Sequence, residues 1–131
     1  MPATLARAAS TYQQVQVTSR SPLELVVMLY DGALTSLGQA RAAIERRDLH
    51  AKARAMGKTM AIVHELQNTL DFESGREVAL NLDRLYTFVT ERLTEANLRL
   101  DTAPLDEAER VLVSLRDAWA QAAAVPVTKA G

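Results

Sequence analysis

His50 and His64 are the two residues of this chain best suited to hold a metal or move a proton near neutral pH. Their neighbours support neither role. A di-iron centre in a helical protein needs a Glu-x-x-His pair on each of two helices, but Arg47 and Ala61 stand three places before the histidines. His64-Glu65 lacks the second histidine of a zinc-protease motif. The five glycines are isolated, so no phosphate-cradling loop is present. With no cysteine, a disulfide framework, Cys-ligated zinc and thiol catalysis are excluded together. The residue types point to no catalytic, metal or cofactor site, and an enzyme is not expected.

A second group, Arg46, Arg47, Lys52, Arg54 and Lys58, concentrates positive charge. Lysine and arginine near a helix C-terminus complement its dipole, so a solvated helical face accounts for the cluster; an acidic partner is the other reading. No aromatic residues interleave it, and the formal net charge of the chain is -1, which does not fit a nucleic-acid partner.

More informative are apolar side chains in the wrong place. Setting residues about 100° apart around a helix puts Met28 among Glu24, Asp31, Thr35 and Arg46. It puts Leu80 and Leu98 beside Arg84, Thr87, Glu91 and Glu95, and leaves Ile62 and Val113 far from any apolar stripe. A lone exposed leucine means little. Several on a small protein can line grooves for a partner's amphipathic helices, or face each other across a structural homodimer.

Those faces require helices, and the patterning supplies them. The chain has 131 residues, 48% apolar and 24% charged, the balance of one soluble domain. No segment alternates as a half-buried strand does. Ser21-Pro22-Leu23-Glu24 is a capping box with proline at the first helical position. The stripe Val26, Tyr30, Ala33, Leu37, Ala40, Ile44 follows, to about Arg46. Asp48 can cap a second helix with the stripe Leu49, Ala53, Met56, Met60, Val63, Leu70. Asp71-Phe72-Glu73 reads as a connection, and Ser74-Gly75-Arg76-Glu77 as a second capping box. The third stripe is Val78, Leu82, Leu85, Val89, Leu93, Ala96, Leu100. A fourth helix near Pro104 carries Leu105, Ala108, Leu112, Leu115, Trp119 and Ala122, with Trp119 expected in the core. Short connections make sequential helices antiparallel. The expected fold is all-α: an antiparallel up-down-up-down four-helix bundle over residues 21–124, with a flexible N-terminal tail over 1–20 and a frayed C-terminal tail over 125–131.

The tail holds Arg7 and Arg20 and no acid. Its Tyr12, Val15 and Val17 belong to no stripe, so they are expected to occupy an apolar groove part of the time and to be displaced by a partner. The longest apolar run, Leu25 to Tyr30, is far short of the roughly 20 residues of a membrane span. The N-terminus has no secretory apolar region. A cytoplasmic location without membrane insertion is expected.

Several blocks also resemble a known family. Tyr12-Gln13-Gln14, Thr18-Ser19-Arg20-Ser21-Pro22 and Leu23-Glu24-Leu25-Val26-Val27-Met28-Leu29-Tyr30-Asp31-Gly32-Ala33 resemble the opening of the flagellin export chaperones, the FliS family. Leu70-Asp71-Phe72-Glu73-Ser74-Gly75-Arg76-Glu77-Val78-Ala79 is similar to that family's centre. So are Glu95-Ala96-Asn97-Leu98 and Leu115-Arg116-Asp117-Ala118-Trp119 further on. Arg20, Val15 and Ser74-Gly75 depart from common family residues without removing a helix. The resemblance implies a cytoplasmic bundle that binds the C-terminal helix-forming segment of flagellin. It implies that binding prevents premature polymerisation and that the complex goes to the membrane export gate, without nucleotide or metal. It also implies a functional tail, with Tyr12 a candidate for contact at the gate. The residues expected to meet the partner are Tyr12, Val15, Val17, Met28, Ile62, Leu80, Leu98 and Val113.

Overall fold

The computed structural model describes residues 21–124. They form four helices: α1 (Pro22–Glu45), α2 (Leu49–Asn68), α3 (Phe72–Arg99) and α4 (Ala103–Ala124). No strand occurs among the described residues. The expectations for the two tails, including those for Tyr12, Val15 and Val17, lie outside the described residues.

Local chemistry sets the helix ends. At the start of α1 the Glu24 N–H donates to Ser21 Oγ at 3.1 Å and the Ser21 N–H donates to Glu24 Oε1 at 2.8 Å, a reciprocal capping box. At its end Arg47 takes left-handed backbone (φ 61°). The Asp48 N–H then reaches Ala43 O at 2.9 Å and the Arg47 N–H reaches Ile44 O at 3.1 Å, the pattern that satisfies carbonyls of a last turn. Asp48 caps α2 by accepting from the Ala51 N–H at 3.0 Å. Leu100 (φ 54°) turns the chain after α3 in the same way. Connections of three residues then reverse the chain each time.

α1 and α3 each pack against α2 and α4, so every helix has two neighbours and none meets its diagonal partner through the backbone. The interior is filled from all four helices, by Tyr30, Leu37, Val63, Val89, Leu93, Leu105 and Leu112 among others. Two polar contacts pierce it. The Tyr30 and Tyr86 hydroxyls join α1 to α3 across the diagonal at 2.5 Å. Ser36 Oγ and Thr59 Oγ1 meet at 2.6 Å between α1 and α2. Burying these four hydroxyls is tolerated because each finds a partner. On the seams, Arg41 pairs with Asp106 and Glu109, Arg116 with Asp31, and Arg92 with Glu107. Such exposed pairs add little stability, but they bind α4 to both of its neighbours.

The stripes expected on α1 and α4 match the buried faces over most of their length; on α2 and α3 they need correction. Leu49, Val78, Leu85 and Leu100 are exposed rather than core. The buried face of α2 runs through Ala55, Met56, Thr59, Val63 and Leu66, with Thr59 on it because its hydroxyl meets that of Ser36 on α1. Leu49 and Leu100 lie at helix ends, beyond the layers that the other helices cover. The start of α3 also differs. Asp71, expected in a connection, is the cap, accepting from the Glu73 and Ser74 N–H groups at 3.1 and 3.2 Å. Ser74 does not cap; its hydroxyl donates to Asp71 Oδ2 at 2.8 Å.

Candidate partner-binding cleft

A cleft of about 260 Å³ opens at the end of the bundle that holds the start of α1, the α2–α3 turn and the end of α4. Val26 of α1, Leu66 of α2 and Leu70 of the turn line one side, and Val78, Ala79, Leu82 and Tyr86 of α3 another, with Trp119 of α4 closing the ring. It exists because α3 and α4 are linked at the opposite end of the bundle, so no connection draws their near ends together. The α3 stripe therefore runs past its cover: Val78 is 65% exposed, and Leu85, two helical turns on along the same flank, is also exposed.

The first turn of α3 shapes one wall. Arg76 has φ 48° and ψ −118°, which breaks the helix between its first turn and the rest. Gly75 precedes it, and a Cβ there would stand 2.9 Å from the Ala79 Cβ, closer than two carbons can sit. A side chain at 75 is therefore excluded from this conformation. Asp71 holds the turn, and its carboxyl is kept below the usual carboxylate range first by the Ser74 hydroxyl and then by backbone N–H groups.

At the floor, the Tyr86 hydroxyl meets that of Tyr30. Burial pushes the Tyr30 phenol far above its ordinary value, reinforced by Tyr86, while the nearby Trp119 indole N–H acts in the opposite direction. Burial also pushes the Tyr86 phenol up. Both hydroxyls are thus neutral hydrogen-bonding groups and not bases. No group of three or more His, Asp or Glu residues among the described residues is arranged to hold a metal. The cleft is an apolar recess with an aromatic, weakly polar floor. That arrangement suits apolar anchor side chains of the kind an amphipathic helix presents.

Of the residues expected from sequence to meet a partner, those within the described residues lie outside the cleft. Leu98, Leu80 and Val113 are exposed, at 75%, 46% and 38%, but none lines the cleft. Met28 is half-buried. Ile62 is not a free surface residue: it packs against the core, its Cδ1 3.6 Å from where a Cβ on Gly32 would stand. Trp119 is half-buried, packed on the core yet lining the cleft, so its expected core position holds only in part. Val78, Leu82 and Trp119 fall on stripes that periodicity alone reads as core. For Val78 and Leu82 the signal that separates them from true core is the length of the α3 stripe, which exceeds what the neighbouring helices can cover.

The chain matches the family model described as flagellar protein FliS over residues 5–126. It is 41% identical over 117 residues to the flagellar secretion chaperone FliSB of Pseudomonas aeruginosa, covering 86% of this chain and 93% of that protein. To the flagellar secretion chaperone FliS of Salmonella typhimurium it is 41% identical over 115 residues, covering 84% and 85%. To FliS of Bacillus subtilis it is 36% identical over 113 residues, covering 86% and 84%.

Proposed function

The chain belongs to the FliS family, a family of chaperones and not of enzymes, and we propose that it is a cytoplasmic flagellar export chaperone. In this reading it binds the C-terminal helical segment of flagellin, prevents premature polymerisation and delivers the segment to the flagellar type III export gate. The apolar cleft is the single observation that carries the reading on this chain's own residues. An amphipathic helix leaves an apolar stripe to be covered, and Val78, Leu82, Leu70 and Trp119 offer cover that a lone flagellin segment lacks. A disordered segment loses conformational entropy when it folds on a partner, so useful affinity calls for a wider surface than the cleft. Exposed Leu85 and Phe88 on α3 extend the apolar area available. No helix among the described residues is long and apolar enough to cross a membrane, which agrees with a carrier that visits the gate without being part of it.

The test is co-purification with flagellin, intact and lacking its C-terminal segment, using wild type and Val78→Asp. Val78 is exposed, so the variant should keep its helicity; a carboxylate in an apolar recess sheds water without gaining a partner. Binding is expected to fall at least tenfold. Equal capture of truncated flagellin would sink the segment assignment, and normal binding by Val78→Asp would sink the cleft. A mass that rises with concentration, with no flagellin bound, would favour the homodimer instead.

A further inference from the structure

The start of α3 carries two caps in its sequence and uses one. Asp71 is the cap in place, with the Glu73 and Ser74 N–H groups and the Ser74 hydroxyl all donating to its carboxylate. The Gly75 N–H adds a bond to Asp71 O at 2.8 Å. Three residues on, Ser74-Gly75-Arg76-Glu77 has the serine and glutamate of a capping box, left unmade because the Ser74 hydroxyl is spent on Asp71. Using the first cap leaves Arg76 in left-handed backbone, at φ 48° and ψ −118°, where a residue with a Cβ is strained. It also presses position 75 against Ala79 so closely that only glycine fits. A helix capped at Ser74 would relieve both, since residues 75 to 77 would become its ordinary first turn.

These residues are also a wall of the cleft: Asp71, Gly75 and Val78 all line it, and exposed Phe72 sits in the same turn. The cleft's volume of about 260 Å³ lies below the roughly 300–1,000 Å³ of pockets for small ligands. An amphipathic helix presents anchors at i, i+3, i+4 and i+7. The observed shape therefore admits individual anchors but not the full run of them along a helix face.

We propose that α3 has two alternative starts, at Asp71 and at Ser74, and that exchange between them switches the cleft between a narrow resting shape and an open, helix-accepting one. The Asp71 start is the resting shape. In the Ser74 start, residues 71 to 73 leave the helix and carry the Phe72 turn away from Val78, widening the mouth. The gating part rests on the flagellin reading above; the existence of two starts does not.

Two single substitutions push the exchange in opposite directions. Arg76→Gly removes the strain of the observed backbone and favours the Asp71 start. Gly75→Pro deletes the N–H that bonds Asp71 O and adds a ring where Ala79 leaves no room. It also places proline at the first position of a Ser74-capped helix, its preferred site. The experiment is hydrogen exchange on the full chain, followed at the Glu73 and Ser74 amides, with titration of a synthetic flagellin C-terminal peptide. Circular dichroism checks that helicity is kept. Relative to wild type, those amides should exchange at least tenfold faster in Gly75→Pro and several-fold slower in Arg76→Gly, with Val89 and Leu93 unchanged. Peptide affinity should rise several-fold in Gly75→Pro and fall several-fold in Arg76→Gly. Exchange unchanged in Arg76→Gly, or shifted in the same direction by both variants, overturns the two starts. Opposite exchange shifts with equal peptide affinities overturn the gating. Opposite exchange shifts with no peptide bound by any of the three proteins support the two starts and overturn the flagellin reading.

Discussion

Removing one hydroxyl from the Tyr30–Tyr86 pair should cost more than removing both in proportion, and the two single losses should differ. Tyr30 is 0% exposed and its hydroxyl bonds that of Tyr86, which reaches the cleft floor. In Tyr86→Phe the Tyr30 O–H is left in the core without an acceptor, and an unsatisfied buried group costs about 1–3 kcal/mol. In Tyr30→Phe the orphan is the Tyr86 hydroxyl; Tyr86 is also buried, at 2% exposure, but it lines the cleft, so a water drawn in from there should hold the loss near the low end, at about 1 kcal/mol. The double variant removes both orphans while keeping both rings, and should lose less than the sum of the singles by about 1 kcal/mol. The assay is urea denaturation followed by far-UV circular dichroism, fitted as a two-state transition. At about 2.1 cal/mol/K of unfolding entropy per residue, a loss of about 2 kcal/mol in Tyr86→Phe corresponds to roughly 7–9 °C in Tm. Additive single losses, or a larger loss in Tyr30→Phe than in Tyr86→Phe, would refute the diagonal bond as the source of the effect.

Both phenols are held above their ordinary value chiefly by burial. Folding thus favours the neutral form, so stability is fully present below about pH 10 and falls as the pH rises beyond it, by at most about 1.4 kcal/mol per pH unit for each tyrosine. Tyrosinate absorbance from Tyr30 and Tyr86 should appear together with the loss of helicity and not before it. Arg47→Gly places glycine at an exposed left-handed position (φ 61°) and should stabilise the bundle by about 1 kcal/mol, read as a higher urea midpoint with unchanged slope. Leu93→Asp, at 0% exposure, should abolish helicity, whereas Leu98→Asp, at 75%, should leave the thermal transition within about 0.5 kcal/mol of wild type.

The helices and most of their ends were legible in the sequence because the interactions that make them are local. Ser21 and Glu24, or Asp48 and Ala51, lie three residues apart, and such a pair can bond only if the chain turns helical between them. The stripe through Tyr30, Ala33, Leu37, Ala40 and Ile44 likewise reports one face of one helix, whatever stands opposite. Family membership was legible too, since it rests on ordered blocks of residues. What periodicity could not settle is where cover runs out. Leu93 and Val78 share one stripe on α3, yet one is buried and the other exposed, because burial depends on how far the ends of α4 and α1 reach alongside. Ile62 reads as an outward residue until the approach of Gly32 turns it into packing. The choice between Asp71 and Ser74 as cap is of the same kind. Both satisfy the local rule, and the decision rests on how the α2–α3 turn meets the rest of the bundle. The sequence by itself determined the four helices and their apolar faces, because these depend on neighbours within a few residues. Only the tertiary structure decided the cleft, because a cleft is the region that other helices fail to cover.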